Sequence, residues 1–202
     1  MTDINAQTDT NAQTDTNKQT WTPPFVGFPK IARFSRKILI TEKIDGSNAQ
    51  VLVNDTGDDL IAGSRSRWIT PQDDNFGFAR WCESNKEELL KLGPGSHFGE
   101  FFGQGIQRNY GLKEKRFSLF NVGRWGSEDT RPKCCGVVPL LWSGNMGDLD
   151  IGQLMNTLEV KGSVAVPGWM KPEGLVVFHT ASNTMYKKTL DKDHEPKGLT
   201  KP

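Results

Sequence analysis

The chain has 202 residues, a formal net charge of +1, 35% hydrophobic residues, 21 glycines and 11 prolines. A charge so near zero gives no global drive towards nucleic acid, so any basic surface must be local, and no apolar run approaches the roughly 18 residues that a membrane span needs. Three cysteines, Cys82, Cys134 and Cys135, cannot pair evenly and lack Cys-x-x-Cys spacing, which points to reduced structural thiols.

Residues 1–20 are expected to be a disordered polar tail. A short unit repeats there as INAQTDT, NAQTDT and NKQT, with no apolar residue larger than alanine between Ile4 and Trp21, and such a stretch cannot bury enough surface to offset its ordering entropy. The start also lacks the basic-then-apolar profile of a secretory signal, so a cytoplasmic protein is expected, in the host cytoplasm if a phage encodes it. Residues 21–202 are ample for one sizeable core.

From Trp21 onward the pattern is rich in strands. Lys37–Thr41 and Ala49–Val53 read as two strands around a glycine-containing loop, Glu42 to Asn48. Asn75 to Leu92 contains the best helical stretch, ended by Gly93-Pro94-Gly95. His97–Phe102, Phe117–Val122, Val137–Leu141 and Leu175–His179 read as further strands, and Ile151–Leu158 as a helix. The mix is α+β with sheets dominating. Only 28 residues follow Gly174, and no clear appended second domain is expected.

The sharpest local feature is Glu42-Lys43-Ile44-Asp45-Gly46-Ser47-Asn48. Only a neutral amine attacks phosphorus, and at an ordinary pKa about one lysine in 2,500 is neutral at pH 7, so a nucleophilic Lys43 needs burial or charged neighbours. Asp45 projects to the same side as Lys43 if the chain stays extended, Gly46 permits a tight turn, and Ser47 and Asn48 offer short groups for a sugar hydroxyl or phosphate. Alone, the same residues read equally as a charged hairpin with Asp-Gly at its corner.

Further candidates follow in order. Ser64-Arg65-Ser66-Arg67 offers fork-shaped donors for phosphate. Glu100, within HFGEFFGQGI, shares a strand face with Phe98 and Phe102 and needs a partner there. Phe117-Ser118-Leu119-Phe120-Asn121 supplies aromatics for stacking, or for a core. Glu173 opens the apolar strand Leu175–Phe178, and Tyr186-Lys187-Lys188 brings two cations near the C-terminus.

In this order the six segments resemble the covalent nucleotidyltransferase superfamily of ligases and capping enzymes, and within it the RNA ligases of the phage T4 RNA ligase 2 group. The resemblance spans residues 28–198 and implies a nucleotidyltransferase (adenylation) domain of antiparallel sheets flanked by helices. It implies that EKIDGSN is the first motif, with Lys43 as AMP acceptor and with Glu42, Ile44, Asp45, Gly46 and Asn48 close to the nucleotide. Arg65 resembles the following arginine element. Glu100 in GEFFGQGIQ would bind the ribose, Phe120 in RFSLFNV would stack on adenine, and Glu173 in EGLVVF would act through a divalent metal. The last motif, usually Lys-x-Lys, reads Met185-Tyr186-Lys187, so Lys187 is the expected α-phosphate contact and Lys188 an extra cation.

The implied reaction joins a 3'-hydroxyl to a 5'-phosphate, RNA preferred, at the expense of ATP, with Mg2+ or, in its place, Mn2+. The resemblance also admits an RNA-capping guanylyltransferase, a DNA ligase, or a non-catalytic nucleic-acid-binding module of the same fold. Lys30, Arg33, Arg36, Lys37, Arg108, Lys113, Lys115 and Arg116 are candidate contacts to a nucleic-acid backbone. His97, His179 and His194 need no catalytic role.

Overall fold

The computed structural model describes residues 23–191 and 193. The expected tail, residues 1–20, lies outside them. The chain divides into two units, Met1–Ile31 and Ala32–Pro202, and residues 23–31 of the first contain no helix or strand.

In the second unit, β1 (Lys37–Lys43), β2 (Ser47–Val53), β3 (Leu60–Gly63) and β4 (Trp68–Ile69) come first, followed by α1 (Phe78–Ser84) and α2 (Lys86–Leu90). Then come β5 (Gly95–Gly103), β6 (Lys115–Leu119), α3 (Val122–Trp125), β7 (Cys135–Val137), β8 (Leu140–Asn145), α4 (Ile151–Lys161), β9 (Gly174–His179) and β10 (Thr184–Thr189). They form a four-stranded sheet in the order β10-β9-β1-β8 and a six-stranded sheet in the order β4-β3-β2-β5-β6-β7. Every pairing is antiparallel except β6 with β7. No helix among the described residues is long and apolar enough to cross a membrane.

Each sheet buries one face, because inward residues recur with the strand period of two. Val51, Val53, Phe101, Phe117 and Leu119 of the larger sheet pack with Phe78, Cys82 and Leu89 of the helical pair. In the smaller sheet, Ile38, Ile40, Leu175 and Val177 pack with Met155 and Leu158 of α4. The side chain of Asp150 caps α4 by accepting from the Gln153 backbone N–H at 2.9 Å.

Several expected elements are redrawn. The single helix over 75–92 is two helices broken at Asn85, whose backbone and side-chain nitrogens both donate to the Trp81 carbonyl, at 3.1 and 2.8 Å. The expected strand 137–141 is divided between the two sheets. Val137 ends β7, Leu140 begins β8, and between them the Pro139 carbonyl accepts from the Glu42 N–H at 2.9 Å. The strand expected to run to Val122 stops at Leu119, because the exposed Asn121 caps α3, its side chain accepting from the Arg124 N–H at 3.0 Å.

Gly174 lets β9 and β10 close together. Its φ is +151°, and a Cβ there would lie 2.1 Å from the Lys188 carbonyl oxygen and 2.7 Å from the Thr189 Cα. A Gly174→Ala substitution is therefore expected to separate the two strands and to cost about 1–3 kcal/mol, as overpacking does. A urea midpoint unchanged from the parent would refute this.

Candidate active site

Strand alternation at the end of β1 sends neighbouring charged side chains to opposite faces. Ile38, Ile40 and Glu42 point to the buried face, Lys43 to the other. The Lys43 amine donates to Glu173 Oε2 at 2.7 Å, and both side chains are part-buried. Glu173 immediately precedes Gly174, which pairs with Lys43 in the β1–β9 ladder, so the backbone register itself sets the acid beside the amine.

Glu42 faces away from this pair. It is 1% exposed, and it accepts from the Ser163 hydroxyl at 2.5 Å and from the Val164 and Ala165 N–H groups, both at 2.8 Å. Both carboxylate oxygens are thus taken up in pinning the 163–165 segment, behind the strand end that carries Lys43. Ile44 is likewise turned inward, packed in a cluster with Phe102, Tyr110, Val138 and Val166.

Across the loop, the β2–β5–β6 register aligns Asn48, Glu100 and Ser118 in one row. Glu100 accepts from the Gly46 N–H at 2.9 Å and from the Asn48 side-chain amide at 2.7 Å. Gly46 is required by close approach: a Cβ there would meet the Phe101 carbonyl oxygen at 2.4 Å and the Phe102 Cβ at 2.7 Å. Burial pushes the Glu100 carboxyl up to about 7, opposed by the hydrogen bonds from Asn48 and Gly46 and by the charge of Lys43, while Glu173 adds to the rise. That electrostatic coupling puts Lys43, Glu100 and Glu173 in one neighbourhood. Phe120, just past β6, donates its N–H to the Phe98 carbonyl at 2.9 Å and keeps its ring partly exposed.

The C-terminal hairpin sorts the two lysines. Lys187 pairs with Val176, which pairs with Thr41, so Lys187 shares the Lys43 face of the sheet. It makes no hydrogen bond or ion pair among the described residues. Lys188 pairs with Leu175 on the opposite face and binds Asp193 at 3.0 Å, so the structure does not bring it to the Lys43 face. Arg65 is exposed on the turn that Ser64 and Arg67 close, and it too makes no such contact among the described residues.

Asp45 is held by Arg108, whose Nε donates to Asp45 Oδ2 at 3.0 Å. The same guanidinium donates to the Lys171 carbonyl at 3.2 Å and to Asp191 at 3.3 Å, and the Asp45 N–H donates to the Tyr110 hydroxyl at 2.7 Å. Arg108, a candidate contact to a nucleic-acid backbone, ties the loop after Lys43 to both flanks of the C-terminal hairpin. Ser163 and Tyr110 also belong to this framework and carry no motif that marks them.

A divalent metal is consistent with the donors present. No group of three or more His, Cys, Asp or Glu that could cage an ion occurs among the described residues. The acids at hand, Glu173 and Glu100, supply oxygen only, which suits Mg2+ or Mn2+ sharing one or two carboxylates with substrate phosphates and water.

Two antiparallel-rich sheets meeting at a lysine-bearing loop, with helices on their outer faces, are the nucleotidyltransferase fold of the ligase type. The RNA ligase family model matches residues 36–190. The chain belongs to the RNA ligase family. Among solved structures it is similar to the RNA ligase of Naegleria gruberi. A mutant of that enzyme with ATP and Mn is 22% identical at a TM-score of 0.59, over 83% of this chain and 57% of that one. An apo mutant is 21% identical at 0.58 over 83% and 56%, and another mutant with ATP and Mn is 22% identical at 0.57 over 77% and 49%. The chain thus spans about half the length of these structures. No curated protein matches.

Removing the Glu42 carboxylate strands one hydroxyl and two backbone donors, so Glu42→Ala is expected to cost about 3 kcal/mol or more in urea unfolding. ATP affinity of the folded fraction should hold; a selective loss of ATP binding at unchanged stability would put Glu42 back at the nucleotide.

The Glu100 carboxyl sits near 7 in the folded chain against 4.5 unfolded, so the folded state holds more protons between those values and loses stability as pH rises through that window. Relative to the parent, Glu100→Gln should gain up to about 3 kcal/mol between pH 4.5 and 7.5. A stability difference independent of pH would contradict this.

Proposed function

We propose that this protein is an ATP-dependent RNA ligase that works through a lysine-AMP intermediate on Lys43 and an adenylated 5' end. The observation that carries the reading is the part-buried Lys43 amine, 2.7 Å from Glu173 and coupled to Glu100. We also propose residues 21–202 as the adenylation domain and the cytoplasm as its location.

In the first step the Lys43 amine attacks the α-phosphorus of ATP and pyrophosphate leaves, forming a phosphoramidate. The amine must be neutral to attack, and Glu173, whose Oε2 accepts from it at 2.7 Å, would orient it. Glu100 would receive the ribose hydroxyls, Phe120 the face of the adenine, and Lys187, on the Lys43 face and unpaired among the described residues, the α-phosphate. In the second step a 5'-phosphate oxygen displaces Lys43 and takes the AMP. In the third a 3'-hydroxyl attacks that end, and AMP departs. Glu173, with substrate phosphates, would hold the Mg2+ or Mn2+, which offsets charge on the phosphoryl oxygens.

The Naegleria neighbours described with ATP, or with AMP, and Mn support this cofactor assignment. A nucleic acid with a 3'-hydroxyl and a 5'-phosphate is the proposed substrate, RNA in preference to DNA.

Incubation with α-labelled ATP and Mg2+ or Mn2+ is expected to label the parent protein and leave Lys43→Ala unlabelled. Label from GTP alone would replace the reading with a capping guanylyltransferase. A folded sample that takes label from neither nucleotide would leave a non-catalytic binding module.

A further inference from the structure

The six-stranded sheet has a second face, turned away from its core, and that face carries large rings at one end. In β4 the alternation is sharp: Ile69 is 5% exposed on the core side, whereas Trp68 is 50% exposed on the other. The register then runs Trp68 to Gly63, Gly63 to Gln50, and Gln50 to Phe98, a single cross-strand row over β4, β3, β2 and β5. Phe98 is 54% exposed. The hydrogen bond from the Phe120 N–H to the Phe98 carbonyl extends the row to the proposed adenine-stacking ring.

Gly63 makes room for the indole. A Cβ at Gly63 would lie 3.0 Å from Trp68 Cε3 and Cζ3, so the ring leans across β3 towards Gln50. Neighbouring strands are about 4.8 Å apart, which puts the Trp68 and Phe98 rings about 10 Å from each other. Between them lies a polar floor, the Gln50 side-chain amide donating to the Ser96 hydroxyl at 2.9 Å. The adjacent row on the same face is Asn48–Glu100, the proposed ribose site.

The turn before Trp68 adds charge. Arg67 is neutralised by a two-point pairing with Asp73 at 2.5 and 3.0 Å. Arg65, three residues before Trp68, is exposed and makes no hydrogen bond or ion pair among the described residues.

We propose that this face is a platform for single-stranded RNA, with bases splayed onto Trp68 and Phe98 and a phosphate held by Arg65. The proposal rests on the ligase reading for the identity of the nucleic acid. Exposed rings spaced over a sheet, with a polar floor between them and a cation at the rim, match the way splayed bases stack while cations follow the backbone. A protein partner would call for a continuous apolar centre, and the Gln50–Ser96 pair interrupts one here. The row also runs beside the Asn48–Glu100 row, where a strand end must arrive to meet the adenylate.

The test is the affinity of the full chain for a fluorescently labelled single-stranded RNA 12-mer, measured by anisotropy at two salt concentrations. Self-labelling with ATP is followed in parallel. Trp68→Ala and Phe98→Ala are each expected to weaken RNA binding at least five-fold, with ATP labelling within two-fold of the parent. Trp68→Phe should keep most of the affinity, which separates stacking from packing on Gly63. Arg65→Ala should reduce the slope of log affinity on log salt by about one. No RNA binding by the parent, or affinity unchanged in both ring variants, would overturn the platform and leave the face to a protein partner. Loss of ATP labelling in Phe98→Ala in step with RNA binding would overturn it as well, by assigning that ring to the nucleotide. If the parent binds RNA as described yet takes no label from ATP, the ligase reading fails while the platform stands.

Discussion

The site depends on two adjacent carboxylate-and-amine side chains at the end of β1 being sent to opposite faces of one strand. Glu42 is spent on the inside, where it satisfies a hydroxyl and two backbone N–H groups of the 163–165 segment. Lys43 is thereby free to face out with its charge met by Glu173. A buried carboxylate is tolerable only when its oxygens are occupied, and here three donors from one segment occupy them. The strand end is fixed from behind, and the amine in front inherits that fixity.

The charges on the outer side form a graded set. Lys43 and Glu173 make a close pair, Glu100 is pushed towards neutrality by burial, and Asp45 is answered by Arg108. Lys187 and Arg65 have no partner among the described residues. Under the proposed ligase reading an arriving polyphosphate would meet the unengaged Lys187, while the acids that would repel it are already paired, hydrogen-bonded or near the point of protonation. Electrostatic preorganisation of this kind is effective because nothing has to reorient when charge develops on the phosphoryl oxygens.

Much of this was legible in the sequence, for a physical reason. Lys43, Asn48, Glu100 and Glu173 lie on or beside strands whose alternation and order are visible in the residues, and their faces follow from the period of two. What the sequence did not reveal depends on long-range register. Lys188 is as good a cation as Lys187 until pairing with Leu175 turns it away. That Ser163, 121 residues on, takes the Glu42 carboxylate has no local signal. Arg108 sits in a loop with three left-handed non-glycine residues, Gln107, Asn109 and Tyr110, and no local pattern says that such a loop will reach Asp45. The short strands β3, β4 and β10 were missed because two to six residues of mixed character carry too little periodicity to stand out.

That same register argument connects the two faces of function. Asn48 and Gln50 are two residues apart on β2, and Phe98 and Glu100 two residues apart on β5, so one pair of strands contributes the Asn48–Glu100 row, proposed for the ribose, and an aromatic row to the same surface. A one-residue slip of β2 against β5 would turn Asn48 and Gln50 into the core and Ala49 and Val51 outward, breaking both rows together. Phe101 and Val51, wholly buried on the other face, forbid that slip. The apolar core beneath the sheet therefore does more than stabilise it: by fixing which face each residue takes, it fixes where the nucleotide and the exposed rings can be.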